Sequence, residues 1–153
     1  MNVVSDLALA VLVLAVGWFL ARRGSIFARV LIFGSALLIS ALLFLPGPQI
    51  SGAVGADGLI FLRQLAAHTP WGVSEWVHFL IFMWLGFLLW LVRADLRGWK
   101  AWTLVAVLSV GAELAQDLAP GRAPRLDDVL LNLAGGMAGI LLGIALRRLR
   151  KGP

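Results

Sequence analysis

Four side chains capable of acid–base, ligand or hydrogen-bonding chemistry sit where an apolar chain should not carry them. His78, Glu113, Gln116 and Asn132 interrupt long runs of Leu, Val, Ala, Phe and Trp. Asp128 precedes Asn132 by four residues, and Arg122 lies in the short polar stretch between Gln116 and Asp128. Ionisable groups inside apolar helices are costly, so such a set points to pairing or to function. His78, Glu113 and Asp128 are the residue types of an acid–base pair or a metal shell. The Arg122 fork can hold a phosphate or carboxylate, and the Gln116 and Asn132 amides can orient a polar ligand. No HExxH-like spacing is present, which leaves the metal-assisted reading without a local motif. Cys is absent, so thiolate chemistry is excluded. No catalytic residue, cofactor or metal ligand is therefore assigned.

Helical spacing gathers these residues. Ser109, Glu113, Gln116 and Asp117 recur at intervals of three and four and share one face. Asp128, Asn132, Gly135, Gly136, Gly139 and Gly143 form a second stripe, whose Gly-x-x-x-Gly-x-x-x-Gly part lets helices approach closely in lipid. His78, Phe82 and Gly86 form a third. Packing the small-residue seams (Gly86, Gly135, Gly139, Gly143) together converges the polar ends on one crevice. The short connection Ala119–Asp127 makes its two helices antiparallel neighbours, with Glu113 about 9 Å below the helix end and level with Asn132. Asp127 or Asp128 is expected to cap the following helix.

The elements that position these residues follow from composition. The chain has 153 residues, 61% hydrophobic and only 14% charged, against roughly 25% charged in a soluble domain. A chain this short cannot hide so much apolar surface from water. A single membrane domain spanning residues 1–153 is expected, all-α, with about five transmembrane helices near Val3–Ala21, Ile26–Leu45, Trp76–Val92, Ala101–Leu118 and Val129–Leu146. Residues 1–45 hold the two N-terminal helices, 46–75 an extracytoplasmic segment with a short interfacial helix, 76–146 a three-helix core and 147–153 a basic tail. His68, in that segment, reads as a solvated loop residue.

With the N-terminus out and the C-terminus in, every one of the 13 basic residues except Arg63, Arg122 and Arg125 falls on the cytoplasmic side. The net charge of +5 is thus a topology signal, and nucleic acid is not an expected partner. The N-terminus lacks a basic leader and a cleavage motif, which favours a retained first helix over a signal peptide. The exposed small-residue seams permit self-association.

The string Glu113-x-x-Gln116, Gly121-Arg122 and Asp128-x-x-x-Asn132-x-x-Gly135-x-x-x-Gly139, preceded by His78-Phe79, resembles the VanZ-like integral membrane proteins. The likeness runs from Trp76 to the C-terminus. It implies a small multi-pass protein of the bacterial inner membrane, in a family whose namesake is associated with resistance to teicoplanin. One departure is Arg125, where the family often has an acidic residue. Three readings follow. The set binds an outer-leaflet molecule (an anionic lipid head group, a cell-wall precursor or a glycopeptide), it is a membrane-embedded acid–base or metal-assisted hydrolase, or it only holds helices together.

Overall fold

Apolar residues with few breakers give six α-helices, as seen in a computed structural model that describes residues 3–23, 25–44, 47–116 and 125–151. Helix α1 spans Val3–Ala21 and α2 spans Ile26–Phe44. Ser25 starts α2 by accepting a bond from the Ala28 amide at 3.3 Å. Helix α3 covers Gly47–Ala67 and breaks at Gly55, whose φ of 73° suits only glycine. Helix α4 is Val73–Val92, followed by a 3₁₀ turn at Ala94–Leu96. Gly98, at φ 80°, reverses the chain into α5, Trp99–Gln116. Helix α6 runs Leu126–Lys151. Among the described residues there is no strand.

These bounds depart from the sequence expectation at several helix ends. The segment 46–75 carries a broken helix of 21 residues rather than a short one, and α4 begins three residues before Trp76. Helix α6 continues to Lys151, so Arg147, Arg148 and Arg150 lie on it instead of in a separate tail. Their straight-chain side chains suit a helix, and basic charge is favourable at its C-terminal end. Among the described residues two helices, Val73–Val92 and Leu126–Arg150, are long and apolar enough to cross a membrane.

Helix α4 is the hub, meeting α2, α3, α5 and α6. Its partnership with α6 is by far the closest. A Cβ on Gly135 would strike the Phe79 carbonyl, one on Gly139 the Met83 carbonyl, and one on Gly86 the Gly136 carbonyl. Gly143 faces the Trp90 ring. Gly135, Gly139 and Gly143 meet Phe79, Met83 and Trp90 in that order, so α4 and α6 are parallel, with α5 as the antiparallel return between them. Backbone contact of this kind is open only to glycine. Phe82, Leu85, Leu89, Val105 and Ile140 form the buried core below it.

At the other end, the loop after α4 ties α1 down. Arg93, 2% exposed, donates from Nη1 to the Phe19 carbonyl at 3.2 Å and also to that of Leu20. Its Nε and Nη2 donate to the two Asp95 carboxylate oxygens at 2.8 and 2.9 Å. Arg97 donates to the Trp90 and Leu91 carbonyls at 2.9 and 3.0 Å. The open carbonyls at the ends of α1 and α4 are thereby satisfied. Arg93 and Arg97, read from the sequence as topology charges, are thus also helix caps.

Candidate functional site

The polar residues meet at the end of the α4–α5–α6 unit where α5 finishes and α6 starts. His78 and Asn132, one turn into their helices on the parallel pair, face each other across the seam. The His78 Nδ1–H donates to Asn132 Oδ1 at 3.1 Å, and both side chains are buried. In the neutral ring that bond leaves Nε2 as the acceptor. Glu113 reaches from α5 to the start of α6, where its Oε1 accepts the Arg125 amide at 3.0 Å.

That bond revises the expected cap. The Arg125 carbonyl accepts the first amides of α6, from Asp128 and Val129, so Arg125 holds the capping position. Asp127 and Asp128 sit in the first turn, where a negative charge still suits the helix dipole. Asp127 is exposed and pairs with the Arg125 guanidinium at 3.7 Å, whereas Asp128 is buried. Glu113 plays the part that a local Glu plays in a capping box, but from a neighbouring helix.

Axial register is the second revision. Val105 of α5 packs on Gly136 of α6. Counting outward four residues at a time along antiparallel helices puts Ser109 opposite Asn132, and Glu113 opposite Asp128. Glu113 thus stands about one turn, roughly 6 Å, further out than Asn132 instead of level with it. Ser109 spends its hydroxyl on its own helix, donating to the Val105 carbonyl at 2.8 Å.

Gln116, the last residue of α5, is 2% exposed, as is Glu113, and Asn132 is fully buried at 0%. Glu113 Oε2, Gln116 Nε2 and Asn132 Nδ2 are all buried and have no hydrogen-bond partner among the described residues. Leaving a buried polar group unpaired costs about 1–3 kcal/mol, more where it is charged. Such a concentration in one place is therefore unusual in a folded chain. The structure brings His78, Glu113, Gln116, Asp128 and Asn132 to one end of three helices. Arg122 and Asp117 lie outside the described residues. Among the described residues, no three His, Asp or Glu side chains group as a metal shell would. His68, expected as a solvated loop residue, is exposed at the end of α3 and donates from Nδ1 to the Gln64 carbonyl at 2.7 Å.

A helical unit with glycine-seamed helices and a buried polar end defines an all-α protein organised around α4 and α6. Residues 34–147 match the family model described as VanZ/LLP1, and the chain belongs to that family. The match begins in α2, well before the Trp76 at which motif residues first become legible. The comparisons found no similar protein among curated sequences and none among solved structures.

Proposed function

We propose that this VanZ/LLP1-family protein is a multi-pass protein of the bacterial inner membrane with an outward-facing site for a cell-envelope molecule. The ligand is a lipid head group, a cell-wall precursor or a glycopeptide-type compound, and a link to teicoplanin-type resistance is part of the same proposal, supported by the family's general association with glycopeptide resistance. The whole chain forms one membrane domain with five spans, N-terminus out. The surface supports a lipid setting: Val107 is 61% and Leu130 55% exposed while Asn132 and Glu113 are buried, the inverse of the usual order in water. The observation that carries the binding reading is the set of unpaired buried atoms on Glu113, Gln116 and Asn132. A purely structural cluster would pair them.

The structural reading has its own support in the His78–Asn132 and Glu113–Arg125 bonds, each of which joins two helices. Gln116→Leu separates the two. If the cluster is only structural, removing an unpaired buried amide leaves the protein as stable or stabilises it by about 1 kcal/mol, and nothing else changes. If the cluster binds, the same variant keeps its fold but loses the lipids that co-purify with wild type in native mass spectrometry. Arg122→Ala should lose them too, and Arg63→Ala should keep them. Identical lipid profiles in all three variants would refute the binding reading.

A further inference from the structure

Which head group fits is written in the hydrogen-bonding character of the unpaired atoms. Given the binding reading above, we infer that the site takes a ligand through hydroxyl groups, as on a sugar or a glycerol head group, and not through a phosphate or an ammonium. Glu113 Oε1 already accepts the Arg125 amide, and in the ionised side chain Oε2 is a second acceptor; Gln116 Nε2 and Asn132 Nδ2 are amide nitrogens and donate. A fully ionised phosphate accepts only. It would serve the two amides and stand against the Glu113 oxygen with no proton between them. An ammonium donates only, so it would serve Glu113 and meet two further N–H groups. A hydroxyl does both, donating to the carboxylate while accepting from an amide.

The arrangement asks for more than one hydroxyl. Gln116 lies three residues beyond Glu113 on α5, and Asn132 about one turn deeper on α6, so the orphan atoms belong to successive levels of the bundle. Asn132 fits the same chemistry in either amide orientation. One of its two polar atoms is taken by His78 Nδ1, and whichever remains can be met by a hydroxyl. Gln116 lies three residues further along α5 than Glu113, which puts its amide about one turn further out.

The test uses the full chain in detergent micelles with four lipids at equal mole fraction. Phosphatidylglycerol offers a phosphate and a diol, diglucosyl diacylglycerol offers hydroxyls and no charge, phosphatidic acid, with every probe read at a pH above its second ionisation, offers acceptor phosphate alone, and phosphatidylethanolamine offers an ammonium beside its phosphate. The two hydroxyl-bearing lipids should raise the melting temperature by about 5–10 °C at saturation, and the other two should not. Gln116→Leu should flatten that response. Ser109→Ala, which removes a hydroxyl already tied to its own helix, should retain it. Methyl glucoside as a fifth probe assigns the source: a shift equal to the glycolipid's means a free sugar suffices, and no shift means the lipid-borne form is required. Phosphatidic acid equalling phosphatidylglycerol, or phosphatidylethanolamine exceeding both, would overturn the hydroxyl assignment while leaving a binding site. No response to any probe would remove the binding reading itself.

Discussion

Replacing Gly139 by alanine puts a methyl group into a space that backbone already occupies. Its Cβ would lie 2.7 Å from the Phe87 nitrogen and closer still to the Met83 carbonyl oxygen. Ordinary contact needs about 3.5 Å or more, so α4 and α6 must part by roughly an ångström. A gap of that size forfeits about a quarter to a half of each contact's well of 0.1–0.2 kcal/mol, and a seam of some dozens of atom pairs then loses about 2 kcal/mol. The His78–Asn132 bond crosses the same seam at 3.1 Å, and stretching it past hydrogen-bonding range costs about 1 kcal/mol more. The total of about 3 kcal/mol is at the upper end of ordinary overpacking. Gly111→Ala is the internal control. It changes the same residue type on a helix, but nothing lies within 4 Å of the new methyl. It should gain up to about 1 kcal/mol from helix propensity alone. Equilibrium unfolding of both variants in detergent measures the difference. Equal stabilities would refute the close approach of α4 and α6.

Two further predictions concern the opposite end of the molecule and its orientation. The Asp95 pKa is lowered from 3.8 to about 2, chiefly by the hydrogen bonds from Arg93, against some desolvation. A depressed carboxylate stabilises the fold fully above its ordinary value and loses that contribution as pH falls toward about 2. The melting temperature of wild type should therefore drop between about pH 5 and pH 2.5 by more than that of Asp95→Asn; parallel curves would show that the clamp on α1 carries no weight. With no native cysteine to interfere, a cysteine placed at Ala123 should react with a membrane-impermeant thiol reagent in intact cells and one at Gly98 should not. The reverse pattern would invert the proposed topology.

Much of the arrangement is legible in the chain because lipid and helix geometry leave few choices. Polar residues that recur at three and four along apolar helices must share a face, and so His78, Asn132, Glu113 and Gln116 could be grouped before any coordinates existed. The glycine spacing of Gly135, Gly139 and Gly143 likewise marks the face on which another helix can come close. Other features were not legible. Arg93 read as a cytoplasmic charge, since nothing local reveals that its guanidinium will reach the carbonyls of a helix some 70 residues earlier. The capping position of α6 fell to Arg125 because the group that bonds its amide, Glu113, comes from another helix.

Periodicity fixes the rotational position of a side chain around its helix axis, and composition fixes which helices can tolerate lipid. Neither fixes how far one helix slides along another. That displacement was decided where Gly86 meets Gly136 and Val105 packs on the same glycine, since only the interlock of two surfaces selects one axial offset among several. The tertiary structure therefore set Glu113 a turn outward of Asn132, and with that offset the ladder of unpaired donors and acceptor on which the hydroxyl assignment stands.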